Sequence, residues 1–192
     1  MHWLKTTLLS VLATLTVVTA LAQNVSEWER ERYASTRNGM YVLGSWAIGN
    51  VAFSSVGMFR GSGVNYHFHQ MNLAWNVVNL SLVGENLYFT KALDNPSAQQ
   101  VSAKSINTEK ILLLNAGLDV AYITTGALLA QDKYTDHQVR NRGWGRSLMM
   151  QGGFLLVFDL LLHHKLQSLR LSHTSNVGLS PYPGGMSLVV TW

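Results

Sequence analysis

Four apolar segments divide this chain, each close to the roughly 20 residues that cross a hydrocarbon core. Gly39 to Phe59 carries no charge, and a second segment, about Tyr66 to Leu87, carries none before Glu85. Ile111 to Gln131 holds one acid, Asp119, and Ser147 to His164 holds one, Asp159. Polar stretches separate them: Arg60 to Gly63, Lys91 to Lys110 with Pro96, and Asp132 to Arg146. The pattern predicts an all-α membrane protein, an antiparallel four-helix transmembrane bundle over residues 39–170.

The flanks have a different character. Lys5 precedes an apolar run from Leu8 to Val18, and Ala20-Leu21-Ala22 is an A-x-A cleavage site, so residues 1–22 are expected to be a signal peptide. Residues 23–38 form a charged amphipathic lead-in, with Ser26 and Glu29 spaced as a capping box and Glu29/Arg32 as an i,i+3 pair. Trp28 and Tyr33 suit interfacial anchors, and Arg30, Arg32 and Arg37 a solvated helix face. In the tail, 171–192, Pro181, Pro183, Gly184 and Gly185 make a turn between Asn176–Ser180 and Met186–Trp192, which predicts a short C-terminal β-hairpin outside the membrane.

Composition agrees with a membrane setting. Of 192 residues 47% are hydrophobic and only 12% charged, about half the charge of an ordinary globular chain. The net charge of +4 is scattered over loops and helix ends without a basic stripe, so the expected partner is the lipid bilayer and no nucleic acid. Without cysteine there is no disulfide, thiolate site or lipoprotein anchor. An export signal places both mature termini outside the cytoplasm in a bacterial inner membrane. The Asp132–Arg146 loop, with Lys133, Arg140, Arg142 and Arg146, then lies inside, as the positive-inside rule prefers.

Polar residues recur on one face of every segment. At about 100° per residue, Asn65, His69, Asn72, Asn76, Asn79 and Asn86 of the second occupy roughly 100° of arc. Thr108, Asn115, Asp119, Tyr122 and Gly126 of the third fall within roughly 60°, and Gly152, Asp159, His163 and Arg170 of the fourth within roughly 40°. Asn50 shares a face with Trp46, Ser54 and Gly57. In lipid such faces turn inward. Matching helix centres sets Asn50 opposite Asn76, Ser54 opposite Asn72, Gly57 opposite His69, Asp119 opposite Asp159, Asn115 opposite His163 and Gly126 opposite Gly152. The expected buried polar cluster is thus Asn50, His69, Asn72, Asn76, Asn79, Asn115, Asp119, Tyr122, Gln151, Asp159 and His163.

Two acids at mid-depth, with no Lys or Arg at their level, cannot both stay ionised cheaply, so at least one is expected to be protonated or compensated by a cation or by His163. No cofactor is predicted. Asp159 with His163 has the i,i+4 spacing of a metal pair, but only two ligands. The pairs His67/His69 and His163/His164 sit toward opposite membrane faces, which disfavours a haem between them. No phosphate loop, nucleophile elbow or H-E-x-x-H motif occurs, so no catalytic residue is assigned.

The segments GMYVLGSWAIGN, HQMNLAWNVVN, LNAGLDVAYITTG and QGGFLLVFDLLLHH resemble an uncharacterised family of small bacterial membrane proteins known as a domain of unknown function. The resemblance runs from about Arg30 to the end and rests on Asn50, Asn72, Asn76, Asn79, Asn115, Asp119, Gly126, Gln151 and Asp159. It implies a multi-helix membrane protein and no particular activity. Three roles follow: a structural or assembly protein with an asparagine core, a proton-, cation- or metal-binding bundle using Asp119, Asp159 and His163, or a soluble periplasmic helical bundle.

Overall fold

The computed structural model describes the backbone of residues 2–174, 178–182 and 185–189 and the side chains of residues 22–174. Four helices make up the fold: α1 (His2–Arg60), α2 (Gly63–Phe89), α3 (Ala98–Ala130) and α4 (Gln138–Thr174). The lead-in and the first apolar segment are one unbroken helix, so Ser26 lies within α1 and caps nothing. The capping box sits at α3 instead, where the Ser97 hydroxyl accepts from Gln100 N–H and the Gln100 side chain accepts from Ser97 N–H. This cap, just after Pro96, starts α3 at Ala98. A stretch expected as loop up to Lys110 is therefore mostly helix. Likewise α4 begins at Gln138, after a short turn whose backbone Asp132 holds by accepting from the N–H groups of Tyr134 and Thr135. Hydrogen bonds from the Thr135 hydroxyl and the Asn141 amide add to these and hold the Asp132 carboxyl well below the usual range.

Neighbouring side chains set the directions. Gly57 packs on His69 and Gly44 on Val83, so α1 and α2 are antiparallel. Glu109 meets Arg170 and Gly126 meets Gly145, so α3 and α4 are antiparallel too. Val64 lies against Gly143 and Asn72 against Gln151, so α2 and α4 run parallel. α4 packs against the other three helices, whereas α2 and α3 make no backbone approach to each other. Gly61 and Ser62 alone join α1 to α2, and Gly63 (φ +55°) takes the left-handed conformation that the tight return needs.

The expected fold class needs correction. It is an all-α four-helix bundle, and the hairpin tail is not part of it. Gly178–Tyr182 and Gly185–Val189 pair only with each other and touch no helix among the described residues. Two five-residue segments with nothing to pack on have no independent stability. Asn176 and Val190–Trp192, the outer parts of that expectation, lie outside the described residues. Of the four apolar segments expected to cross, three lie on helices that are long and apolar enough to cross a membrane among the described residues: Ala22–Arg60, Ala98–Ala130 and Gln138–Thr174. α2 has the length but carries Asn65, Asn72, Asn76, Asn79 and Asn86 along 27 residues.

At roughly 1.5 Å per residue, α3 and α4 extend about 50 Å, and their excess length collects at one end of the bundle. There the Arg32 guanidinium makes two bonds to the Glu29 carboxylate (2.7 and 2.8 Å), which also accepts from Leu93 N–H. Both side chains are buried, and Trp28, buried too, stacks on His173 at 5.6 Å. Trp28, expected as an interfacial anchor, and Arg32, expected on a solvated face, are instead buried here because α4 reaches up alongside α1, whereas Arg30 and Arg37 stay exposed as expected. Arg170 forks onto Glu109 (2.8 and 2.9 Å). Every ion pair among the described residues lies at this end.

Two outcomes follow from this packing. A Cβ on Gly126 would come within 2.7 Å of the Gly145 carbonyl and 2.9 Å of Met149 N, both backbone atoms that cannot move aside. Gly126→Val is therefore expected to cost about 3 kcal/mol or more in a denaturation titration, while Gly84→Ala, with nothing within 4 Å of its Cβ, leaves stability nearly unchanged. Second, burial alone would push the Glu29 carboxyl up, but the Arg32 guanidinium and Leu93 N–H outweigh it and hold it below its ordinary 4.5. A depressed carboxyl stabilises fully above its unfolded value and loses that contribution as pH falls through the folded one. Glu29→Gln, which strands a buried guanidinium, should cost about 3 kcal/mol at pH 7. The gap to wild type should shrink as pH falls below 4.5; a gap independent of pH would contradict the assignment.

Candidate functional site

Helix periodicity aims an amide from each of α1, α2 and α4 at one point inside the bundle. Asn72 is the hub. Its Nδ2 donates to Asn50 Oδ1 (3.0 Å) and Ser54 Oγ (2.6 Å), and its Oδ1 accepts from Gln151 Nε2 and Asn76 Nδ2. Asn76 also donates to the Asn72 carbonyl (2.7 Å), and Asn50 to the Trp46 carbonyl (2.9 Å). Trp46 Nε1 closes the set by donating to Gln151 Oε1 at 3.1 Å, its ring stacked on Phe154. Asn72, Asn76 and Ser54 have no exposed surface at all. In so dry a place every hydrogen bond made avoids a desolvation cost of about 1–3 kcal/mol, so the network prescribes how α1, α2 and α4 stand against one another.

A second group lies on the side facing α3. Asp119 and Asp159, 3% and 5% exposed, bring their carboxyls within hydrogen-bonding reach of each other. They line a cavity of about 220 Å³ together with Asn79, Asn115, Trp75 and Tyr122, the last two in edge-to-face contact at 4.7 Å. No Lys, Arg or His lines it. Asp119 Oδ2 finds no hydrogen-bond donor, and Asn79 Nδ2 finds no acceptor.

The expected cluster therefore divides into two. Asn50, Asn72, Asn76 and Gln151 join in the amide network, and Asn79, Asn115, Asp119, Tyr122 and Asp159 surround the cavity. Ser54 and Gly57 meet Asn72 and His69 as the helix matching has it, but Asn50 reaches Asn72 and not Asn76. Gly126 meets Gly145 and not Gly152; Gly152 packs on the Asp119 carbonyl and Ile123. Close glycine contacts draw the backbones together at a level that helix centres do not mark. His163 is half-buried and does not line the cavity, and His69 packs among Gly57, Phe53 and Phe68 with Nδ1 unpartnered. The parallel α2 and α4 set His69 and His163 about 20 Å apart along the axis, too far for one haem. Among the described residues no three His, Cys, Asp or Glu side chains converge on a metal position.

Residue patterns alone did not bring out Trp75, Glu109 or Ser147. Trp75 adjoins the α2 asparagine stripe, Glu109 sits one residue after Thr108 on α3, and Ser147 begins the fourth apolar segment; nothing but interhelical depth distinguishes them. The chain belongs to the family of unknown function DUF6992. That family's model matches residues 42–160, more than half the chain. The matched stretch contains the whole amide network and both acids, and leaves out Glu29, Arg32, His163 and Arg170. No curated protein and no solved structure matches the chain.

Replacing the hub tests the network. Asn72→Ala removes two donated and two accepted bonds and is expected to lower the unfolding free energy by about 2–3 kcal/mol. Ser81→Ala, which loses one exposed bond to Val77 O, should stay within about 0.5 kcal/mol. An SDS titration of both variants in mixed micelles measures the difference.

Proposed function

We propose that this chain is an integral membrane protein whose buried amide network sets helix register, serving a structural or assembly role. The observation that carries this reading is the inverted distribution of polarity. Inside the middle of the bundle stand Asn50, Asn72, Asn76, Gln151, Asp119 and Asp159, with Leu43, Ala47, Val83, Ala116 and Leu148 among them and a packed apolar cluster of Leu112, Leu162, Leu166 and Phe158 toward one side. Outside stand Ile48 (62% exposed), Phe53, Val77, Leu114 (66%) and Leu161 (66%). A water-soluble bundle has the opposite arrangement, because exposing a continuous apolar belt is unfavourable. In lipid that belt costs nothing, and interior amides supply helix–helix specificity.

Further features fit the same reading. Phe59 and Tyr134 at one end and Tyr88 and Phe89 at the other stand exposed, as aromatic residues do at both membrane interfaces. Close glycine approach between α3 and α4 is the small-residue packing of membrane helices. α2 crosses with the others in this proposal, since its Asn72 bonds to both α1 and α4, its Asn76 and Asn79 are buried, and its Val77, Val78 and Leu82 are about half exposed. Cleavage after Ala22 would place the mature N-terminus, the Glu29–Arg32 pair and the chain after α4 outside the cytoplasm of a bacterial inner membrane. A second reading, proton or cation binding at Asp119 and Asp159, is favoured by the contact of two carboxyls with no basic side chain around them.

Alkaline carbonate extraction tests the first reading. The protein is expected to remain in the membrane pellet and to be released only by detergent. Release by carbonate alone would contradict it and favour a soluble periplasmic bundle.

A further inference from the structure

The cavity between α2 and α3 combines features that a structural core does not need. Its floor holds two buried carboxyls, and its walls are apolar and aromatic, from Trp75, Tyr122 and Phe158. A volume of about 220 Å³ far exceeds the roughly 30 Å³ share of one water molecule. The rim residues Val78, Leu82 and Leu118 are each about half exposed, so the cavity opens sideways onto the apolar exterior, where the α2 and α3 backbones stay apart and the Trp75 and Tyr122 rings meet across the gap. Two residues that line it each carry a buried polar atom without a partner: an acceptor, Asp119 Oδ2, and a donor, Asn79 Nδ2.

We propose that this cavity binds an organic ammonium ion with an apolar body and an adjacent acceptor oxygen, an amphiphilic amino alcohol, admitted from the hydrocarbon layer between α2 and α3. The ammonium donates to Asp119 and Asp159, whose negative charge has no other basic partner. The neighbouring oxygen accepts from Asn79 Nδ2, and the apolar body fills the aromatic part, where ring faces also attract a cation. A metal ion would satisfy the acids but leave most of an apolar volume to water. The proposal deepens the second reading above, and its lateral route rests on the membrane reading.

The test uses the full protein in lipid nanodiscs with 2-amino-1-phenylethanol hydrochloride as probe, against its neutral analogue 2-phenylethanol and the anion phenylacetate. Binding is read from the thermal midpoint and from tryptophan fluorescence. The ammonium compound is expected to bind at least tenfold more tightly than the alcohol, with no binding of the anion. Asp119→Asn and Asp159→Asn should each weaken it tenfold or more, and Asn79→Leu should erase its advantage over 2-phenylethylamine. Equal binding of the alcohol, or no binding by wild type, overturns the proposal even if the variants fail to fold. Carbonate fractionation of the same cells separates the two claims: a protein that stays in the membrane yet binds no ammonium compound overturns the ligand assignment and leaves the membrane reading intact.

Discussion

A side-chain amide buried away from water must find partners within the protein, and in this bundle almost everything depends on how Asn72 finds them. Its one carboxamide joins Asn50 and Ser54 of α1 to Gln151 of α4. Hydrophobic contacts are non-directional and would let helices slide by a turn with little change in buried area. Amide hydrogen bonds are short and angular, so a slip leaves four polar groups unpaired at once. Trp46, stacked on Phe154 while bonded to Gln151, ties the network to the apolar packing around it.

The two ends and the middle of the bundle use different physics. At the extended end, Glu29–Arg32 and Glu109–Arg170 form two-pronged ion pairs, the first fully buried with Leu93 N–H as a further donor to Glu29 and the second partly exposed at Arg170. In the middle no such pair occurs among the described residues, and neutral amides take their place. α3 is attached differently again: it meets α4 through Gly126, Gly145 and Gly152 and α1 only lightly, and its backbone stays away from that of α2, which it reaches through the Tyr122–Trp75 ring contact. That asymmetry opens the cavity around Asp119 and Asp159. The rigid corner made by α1, α2 and α4 and the looser side made by α3 thus carry separate parts of the polar core.

Much of this was legible in the chain because helical periodicity is a strong signal for long segments. The stripes through Asn50, Asn72, Asn76, Asp119 and Asp159 face inward, and Ser54 meets Asn72 as matching helix centres has it. Helix ends were less legible. Ser26 has the spacing of a cap yet lies inside α1, whereas the effective cap is Ser97, just after Pro96. Depth was least legible: Gly126 pairs with Gly145 because small residues attract backbone contact wherever they coincide, and Arg170 finds Glu109 because α3 runs past its apolar stretch. The tail's Pro and Gly residues signal a turn, but a turn signal says nothing of whether the flanking segments have a surface to pack on, and the hairpin expected there is not part of the fold.

The central claim is that the bundle is polar within and faces hydrocarbon without. Because the chain contains no cysteine, single nitroxide labels can be placed at Ile48, Val77, Leu114 and Leu161 without background. Paramagnetic relaxation of these labels in bilayers by oxygen, which concentrates in hydrocarbon, and by a water-soluble nickel chelate measures the solvent at each position. The account predicts strong relaxation by oxygen and almost none by nickel at all four; strong relaxation by nickel there would contradict it.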